Sequence, residues 1–426
     1  MFKLRKRCEI MSKKRNPLSV LFFTILIDML GIGVLIPVFP LLIMDSSPFK
    51  VIPEGWSSGQ GLVMLGFLTA IYPLGMFLFS PLLGQLSDRF GRKKILAISI
   101  CGTAVAYLLF AVAIYTRNIP LLFISRLVDG VTGGNISVAQ AAIGDISTPE
   151  NRAKNFGLIG MAFGLGFIIG PFLGGQLSNP NLVSWFDAAT PFIFTAILSF
   201  INMYLVIRNL PETLKEKSTK PINYFRPLEN LKMAFVTDGL KMIIPSVFFM
   251  NFGFTFFTSF MAVTLAERYG FTQGNTGNFF AYMGIMIVFA QGVVVRSIGN
   301  KIADYKILRF SYFGMAFCLL SYFLVPSSMV YLIYFIPPFQ STFNSLSNSF
   351  ANSLIVRVTP ANVRGETMGV ASSVSALAMF VPGLFTGAIA AHFSINTPML
   401  VGAILVFMAG VCFNLLFKPG EFVSAK

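Results

Sequence analysis

Residues 61–116 read GLVMLGFLTAIYPLGMFLFSPLLGQLSDRFGRKKILAISICGTAVAYLLFAVAIYT, a polar and basic segment between two continuously apolar runs. Each run, at 61–82 and 95–116, is long enough to cross a hydrocarbon core of about 30 Å as a helix, which takes about 20 residues. The connection between the runs is short, so the two helices must leave and re-enter the bilayer as neighbours. This hairpin predicts a polytopic membrane protein.

Similar apolar runs recur along the whole chain. Of its 426 residues, 55% are hydrophobic and 12% are charged, and this charged fraction is about half that of a soluble domain. The runs lack the alternating polarity of barrel strands, so a transmembrane β-barrel is excluded. We predict an all-α membrane protein with twelve transmembrane helices, at 17–44, 61–82, 95–116, 120–143, 154–178, 188–208, 241–266, 276–298, 307–325, 328–356, 367–391 and 396–417.

The net charge of +15 indicates membrane topology and not a nucleic-acid partner. When the 32 Lys and Arg residues are sorted by loop, all but four fall on one side; the exceptions are Lys50, Arg117, Arg268 and the intramembrane Arg126. Positive residues are retained on the cytoplasmic side. We therefore expect a cytoplasmic (inner) membrane protein with both termini in the cytoplasm. The first apolar run is too long for a signal peptide, so we expect it to be retained.

The cysteines do not suggest a metal site. Cys8 lies in the basic tail, whereas Cys101, Cys318 and Cys412 lie in apolar runs without ligand spacing. We expect neither disulfides nor zinc, and we predict no cofactor and no bound metal.

An internal repeat divides the chain into halves. Lys94-Ile95-Leu96 matches Lys306-Ile307-Leu308, and Gly157 matches Gly369, at an offset of 211 to 212 residues. Duplication of a six-helix unit explains these matches, and it predicts two bundles related by pseudo-two-fold symmetry around a central cavity. The domains we predict are a basic cytoplasmic tail at 1–16, an N-terminal bundle at 17–208, a cytoplasmic linker at 209–240, a C-terminal bundle at 241–417 and a cytoplasmic tail at 418–426.

The polar segment of the quoted stretch carries glycines and charges in a fixed pattern, Gly84-Gln85-Leu86-Ser87-Asp88-Arg89-Phe90-Gly91-Arg92-Lys93-Lys94. It resembles the signature of the major facilitator superfamily. Together with the motifs below, it is most similar to the drug:proton antiporter branch, which includes the tetracycline-resistance exporters. The resemblance covers essentially the whole chain and implies the major facilitator fold and a transporter, not an enzyme.

Within this segment the charges can form a cytoplasmic gate. Asp88 lies just beyond a helix end, where it could accept hydrogen bonds from the N-terminal amides of another helix. Arg89 and Arg92 could bridge to a carboxylate such as Asp145. A simple positive-inside anchor is the alternative, and in the second half Asn300 stands opposite Asp88. The gate residues we predict are Gly84, Asp88, Arg89, Gly91, Arg92 and Asp145.

Asp28 is the acid most deeply placed in the first apolar run. At 1.5 Å per residue it lies about 16 Å from the helix start, near the bilayer midplane. A carboxylate at this depth is energetically costly, so its presence indicates a function. Because desolvation favours the neutral form, Asp28 could bind and release a proton as the cavity alternates between faces. The related exporters carry an acid here too; a structural Asp bonded to another helix is the alternative.

The fourth predicted span carries Arg126, Asp129 and Gly130, and it resembles the family's Arg-x-x-x-Gly motif in that helix. An Arg at this depth needs an acidic partner, either Asp129 one turn along or Asp28 across the bundle. The related exporters lack an acid at the position of Asp129. The sequence therefore leaves open whether Asp28 or Asp129 carries the coupling proton.

The fifth span carries small residues at four-residue spacing, which let helices approach closely. A packing seam alone explains the glycines, but with the proline the pattern resembles the family's antiporter motif. The residues of this motif are Gly166, Gly170, Pro171, Gly174 and Gly175.

The C-terminal half carries amides and hydroxyls in place of ionisable residues inside its spans. Amides on one helical stripe are poorly solvated by lipid, so we expect them to face the cavity and bind substrate or water. Hydrogen bonding between helices is the alternative. The substrate-cavity residues we predict are Asn251, Thr255, Gln340, Asn344 and Asn348.

These features predict a secondary active transporter, acting as a monomer in the lipid bilayer, with a small-molecule substrate and the proton as partners. Proton-coupled efflux of a small amphiphilic drug or metabolite by alternating access is the favoured function. A proton-coupled uptake symporter or facilitator is the alternative, because the same fold and acid would serve it. A membrane enzyme or receptor is a remote alternative, since there is no nucleotide loop or nucleophile constellation.

Overall fold

The computed structural model describes residues 17–44, 47–148, 151–214, 216–219, 221–237, 239–298, 301–359 and 364–417. Within these ranges the chain forms helices and no β-strand. Ten helices in this part of the chain are long and apolar enough to cross a membrane. The predicted tails at 1–16 and 418–426, and Asn300, lie outside the described residues.

The N-terminal half contains the helices α1 to α8. α1 ends ahead of Pro37, so the predicted span at 17–44 is two helices. α3 continues beyond the predicted span to Phe90, so the segment from Gly84 is helical and not a loop; Gly91, at a φ of +108°, ends the helix. The helices are α1 (Pro17–Leu35), α2 (Phe39–Ile43), α3 (Ser58–Phe90), α4 (Arg92–Tyr115), α5 (Ile119–Thr132), α6 (Asn135–Asp145), α7 (Arg152–Leu177) and α8 (Thr190–Asn209).

The C-terminal half contains α10 to α16, and the short helix α9 precedes it. α11 continues through a π-helical turn, Ala290–Val294, into α12, and a 3₁₀ segment, Ser327–Phe335, precedes α14. The tenth predicted span therefore starts eight residues late as an α-helix. The helices are α9 (Arg226–Val236), α10 (Leu240–Tyr269), α11 (Gln273–Phe289), α12 (Val295–Ile298), α13 (Asp304–Leu324), α14 (Ile336–Val358), α15 (Arg364–His392) and α16 (Thr397–Leu416).

Two further crossings complete the twelve predicted helices. The fourth crossing is broken into α5 and α6 at Gly133 and Gly134, because α3 lies very close: a Cβ on Gly134 would be 2.8 Å from the Cα of Ser80. Neither piece alone has the length of a span. The tenth crossing, α14, is long enough but rich in Ser and Asn.

The two sides of the bundle are distinguished by the chain ends. We call the side where α1 begins at Pro17 and α16 ends at Leu416 the terminal side, and the side carrying Trp56 and His392 the opposite side. On the opposite side Phe260 and Val263 of α10 join an apolar core made mostly by the N-terminal half. The halves are therefore packed together there.

The contact between the halves follows the sequence repeat. A Cβ on Gly66 of α3 would lie 2.8 Å from the carbonyl oxygen of Gly383 on α15. At an offset of 211 to 212 residues, a Cβ on Gly277 of α11 would lie 2.7 Å from the carbonyl oxygen of Pro171 on α7. The pseudo-two-fold symmetry predicted from the sequence thus relates two backbone contacts.

The halves diverge toward the terminal side. Along α7, Gly175 meets the backbone of Gly277, and a Cβ on Gly164 would lie 3.0 Å from Val288. One turn nearer the terminal side, a Cβ on Gly160 would meet nothing within 4 Å, and the same holds for Gly157. The space between the halves therefore opens toward the terminal side.

Candidate functional site

A cluster of charged side chains is buried in the N-terminal half. Asp28 on α1 is 7% exposed, and Arg126 and Asp129 on α5 are 4% and 2% exposed. Nη1 of Arg126 donates to Oδ2 of Asp129 at 2.5 Å. The guanidinium carbon of Arg126 also lies 4.7 Å from the ring centre of Tyr72 on α3. Of the two acids that the sequence offered to Arg126, the structure pairs it with Asp129.

Local sequence explains how α5 brings this pair against α3. Asn118 caps the helix by accepting a hydrogen bond from the amide of Leu121 at 2.9 Å, as N-cap asparagines do. Gly130 packs directly against the backbone of Tyr72, where a side chain would collide. The absent side chain lets the two helices approach until the Tyr72 ring covers Arg126.

Asp28 lies beside this pair without a counter-charge. Its Oδ2 is buried and makes no hydrogen bond. Asn135 of α6 faces it, yet the amide nitrogen and oxygen of Asn135 make no hydrogen bond either. On the next turn, the side chain of Tyr107 fills the place where a Cβ on Gly31 would be. Asp28 is therefore enclosed inside the N-terminal half and faces neither lipid nor an aqueous loop.

The predicted gate residues meet at the terminal side. Nη2 of Arg92 donates to Oδ1 of Asp88 at 2.6 Å, and its Nε donates to Oδ2 of Asp145 at 3.1 Å. Its Nη1 donates to Oγ of Ser87 at 2.6 Å. The guanidinium of Arg89 instead lies 5.7 Å from the ring centre of Phe90. Arg92 thus joins the end of α3 to the end of α6, and we call Asp88, Arg92 and Asp145 the N-terminal latch.

Glu212 is a member of this region that sequence reasoning missed. Its carboxylate accepts hydrogen bonds from the amides of Arg92 at 2.9 Å and Lys93 at 3.3 Å. It therefore caps the start of α4, a role the sequence analysis gave to Asp88. The signal in the sequence that could have identified this role is the acid itself, which directly follows Pro211 at the start of a basic linker. A Cβ on Gly91 would also collide with this carboxylate, while Gly84 has open space around it.

The glycine motif of α7 has two packed faces. Gly166, Gly170 and Gly174 lie against α1, and a Cβ on Gly170 would be 2.7 Å from the carbonyl oxygen of Leu30. Gly175 lies against α11 of the other half, and Pro171 contacts both helices, through Gly33 and Gly277. The motif therefore joins the helix carrying Asp28 to the interface between the halves.

The structure divides the predicted cavity residues of the C-terminal half. Gln340 is buried and accepts a hydrogen bond from the hydroxyl of Tyr322 at 2.9 Å, so it connects α14 to α13. Thr255 is also buried and donates to the carbonyl oxygen of Asn251 at 2.8 Å. Asn251 donates to Oγ of Ser375 at 3.2 Å. Asn348 is exposed and donates to Oδ1 of Asn344 at 3.0 Å. Gln340 and Thr255 are thus buried in helix packing, Asn251 and Asn344 are half-buried, and Asn348 is exposed.

Comparison with known proteins identifies the family. A model of the Major Facilitator Superfamily matches residues 21–383. The chain belongs to the Major Facilitator Superfamily. It is 30% identical over 291 residues to the tetracycline resistance protein, class H, of Pasteurella multocida, in an alignment covering 67% of this chain and 68% of that protein.

Two solved structures share the superfamily fold with this chain. The human organic anion transporter MFSD10 (TETRAN) has a TM-score of 0.71 and 20% identity, covering 94% of this chain and 100% of that one. A D-xylose-proton symporter has a TM-score of 0.75 and 15% identity, covering 94% and 97%. At these identities the likeness shows the fold alone.

Membership in the superfamily confirms the predicted fold, the resemblance to exporters of the tetracycline-resistance type, and a multi-pass membrane transporter that is not an enzyme. Among the described residues, no group of three or more His, Cys, Asp or Glu side chains could hold a metal ion.

Proposed function

We propose that this superfamily member is a proton-driven exporter of a small amphiphilic molecule, located in the inner membrane with both termini in the cytoplasm. The observation that carries the proposal is Asp28, a buried carboxyl group with no cationic partner, beside an Arg126 that is already paired with Asp129. Relatives whose names state tetracycline resistance support export.

Asp28 is the proton carrier in this proposal. A buried carboxylate is costly unless a positive charge and hydrogen bonds balance it. Arg126 forms its ion pair with Asp129, whereas Oδ2 of Asp28 is buried and makes no hydrogen bond. Asp28 is therefore more stable neutral in this state. It can lose its proton only when water or the freed side chain of Arg126 reaches it.

Protonation would act on the interface between the halves through α1 and α7. α1 carries Asp28 and packs along the glycine face of α7, and the other face of α7 meets α11. A change of charge at Asp28 would alter the packing of α1, and the glycine contacts transmit a shift to the opposite side. A two-state bundle biased in this way would couple proton binding to the direction of opening.

The C-terminal half would supply substrate recognition. Its accessible amides, Asn344 and Asn348, lie on α14, and aromatic rings line α10, where Phe248 and Phe252 lie 5.2 Å apart. Amides bind polar groups and rings bind apolar or aromatic surfaces. An amphiphile offers both. The boundaries at 208 and 241, the gate role of the N-terminal latch and a monomeric state belong to the same proposal.

The proposal is tested by proton release on substrate binding. Purified protein in detergent, weakly buffered with a pH indicator, is titrated with tetracycline, cationic dyes and organic anions in turn. A competing substrate displaces the proton, so we expect release from the wild type and none from Asp28→Asn. Glu54→Gln, an exposed acid on the opposite side, is the matched control. Release that survives Asp28→Asn removes this residue from the mechanism.

An uptake symporter is the second candidate, because the same fold occurs in a D-xylose-proton symporter. The two functions differ in the direction of coupled flow. Inverted vesicles are given an acidic interior, so that protons flow outward through the transporter. An exporter then accumulates substrate inside the vesicles, whereas a symporter releases it. Accumulation that collapses with a protonophore supports export.

A further inference from the structure

A second group of buried polar side chains lies one helical turn from Asp28. Thr24 on α1, Ser99 on α4, and Ser199 and Asn202 on α8 are each at most 1% exposed. Thr24 donates to the amide oxygen of Asn202 at 3.2 Å. None of these four residues belongs to the superfamily motifs that we identified in the sequence.

Their depth in the bundle places them in layers. Thr24, Ser99 and Asn202 each lie seven residues from the terminal-side end of their helix, or about 10 Å along the axis. Ser199 and Asp28 lie one turn deeper on α8 and α1. α8 packs against both α1 and α4. Thr24, Ser99 and Asn202 therefore lie inside the N-terminal half between Asp28 and the terminal side, and Ser199 lies at about the depth of Asp28.

Three polar atoms of this group have no partner. The amide nitrogen of Asn202 and the hydroxyl oxygens of Ser99 and Ser199 are buried and make no hydrogen bond. Buried polar groups are rarely left unpaired in proteins, and ordered water is their usual partner when protein atoms do not reach them. Apolar side chains would pack this interior more favourably than unpaired polar ones. The four polar residues therefore need hydrogen-bond partners, such as water, to be stable there.

We propose that Thr24, Ser99, Ser199 and Asn202 bind ordered water and form the inner part of the route by which protons pass between Asp28 and the terminal side. The hydroxyls can each accept and donate a proton, and the amide orients the water between them. The route runs inside the N-terminal half, separately from the substrate space between the halves. This inference rests on the proposed protonation of Asp28.

Other charged or titratable groups around Asp28 come from α3, α4 and α5. They are Tyr72, Tyr107, Arg126 and Asp129. The Arg126–Asp129 pair and Tyr72 lie toward α3, away from α8, so they do not provide the path to the terminal side through Thr24. Asp129 is nevertheless a second buried acid, and the test has to separate its protons from those of Asp28.

The test measures proton uptake without any substrate. Full-length protein in nanodiscs is subjected to a pH jump in a stopped-flow instrument with a pH-sensitive dye. The signal of the buried acids is the part lost in Asp28→Asn, with Asp129→Asn measured alongside. We expect the double variant Thr24→Val/Asn202→Leu to slow that part at least tenfold, because its side chains cannot hold water. Thr195→Val is the matched control, since this buried threonine of α8 donates to the carbonyl oxygen of Pro191, as Thr24 does to that of Val20, but lies outside the group.

The double variant Ser99→Ala/Ser199→Ala controls for misfolding of the first double variant, because it removes two hydroxyl groups and leaves the helices intact. It should also slow uptake severalfold. An unchanged rate in both double variants overturns the proposed route and leaves the space between the halves as the way in. Uptake that is identical in Asp28→Asn and the wild type, with no part lost, overturns it as well. Neither result depends on whether the protein exports tetracycline, so the proposed function can fail separately.

Discussion

The two halves of the molecule share a backbone plan and differ in where they keep charge. In the N-terminal half Asp28, Arg126 and Asp129 are buried at mid-depth, and Arg92 is buried at the terminal side. In the described part of the C-terminal half, the buried charged residue is Asp304, at the start of α13. The glycine contacts between the halves are nevertheless paired by the repeat. Symmetry is retained in the interface between the halves, while most of the buried charges lie in the N-terminal half.

The repeat also relates two ion pairs of opposite polarity. Arg92 donates to Asp145 at 3.1 Å, and 212 residues later Asp304 accepts from Arg357 at 3.2 Å. Each pair joins the start of the third membrane crossing of its half to the end of the fourth crossing: α4 to α6 in the N-terminal half, and α13 to α14 in the C-terminal half. Exchanging acid and base leaves the Coulomb attraction unchanged. The surroundings differ, because the side chain of Arg92 is 9% exposed and that of Arg357 is 66% exposed.

The largest effect is expected from the buried acids of the two halves. Asp28→Asn should reduce proton-driven transport in inverted vesicles to the level of vesicles without the protein, because the carrier is lost. Asp304→Asn should retain coupling, because Asp304 holds Ser353 and Arg357 at a helix start and not at mid-depth. Equal loss in both variants would show that the charge difference between the halves has no role in coupling.

Breaking the buried pair should destabilise the N-terminal half. Arg126→Met leaves Asp129 buried without its counter-charge, which costs about 3–5 kcal/mol. Arg126→Met/Asp129→Leu removes both charges and should regain most of this stability without restoring transport. Melting temperature in detergent, followed by intrinsic fluorescence, measures the first effect. A single variant as stable as the wild type would mean that Asp129 is not dependent on Arg126.

The symmetry of the interface can be tested with matched glycines. Gly66→Val and Gly277→Val should each disfavour contact of the halves on the opposite side by about 1–3 kcal/mol, because the added atoms meet backbone. Transport should then fall by about tenfold or more. Gly157→Val and Gly369→Val, where a Cβ meets nothing within 4 Å, are the controls. Different losses at Gly66 and Gly277 would contradict equal roles for the two contacts.

The smallest effects are expected from substitutions in the two ion pairs at the terminal side. Arg92→Ala removes bonds to Asp88 and Asp145 from a buried site and should cost about 1.5–3 kcal/mol. Arg357→Ala removes an exposed side chain but leaves the buried carboxylate of Asp304 with the hydrogen bond from Ser353 alone, so it should also cost about 1.5–3 kcal/mol. The double exchange Asp304→Arg/Arg357→Asp tests whether polarity matters, and activity near that of the wild type is expected. Thermal stability and vesicle transport together report both quantities.

Much of the architecture could be predicted from the chain alone. Apolar runs of span length determine that helices cross a membrane, because lipid leaves no other way to satisfy the backbone. The repeat predicted two related bundles, and in the structure its offset also relates the two glycine contacts between them, since duplicated units pack alike. The loop from Gly84 was predicted less well. It is helical to Phe90, because a helix that leaves the membrane can continue in water until Gly91 breaks it.

What only the tertiary structure decided is the choice of partners. Arg126 had two candidate partners, Asp129 one turn along and Asp28 across the bundle, and the structure pairs it with Asp129. Gln340 and Asn348 lie on the same helix, but packing against α13 buries the first and leaves the second accessible. Hydropathy and spacing determine how deep a side chain lies. The direction it faces depends on neighbouring helices that are distant in the sequence.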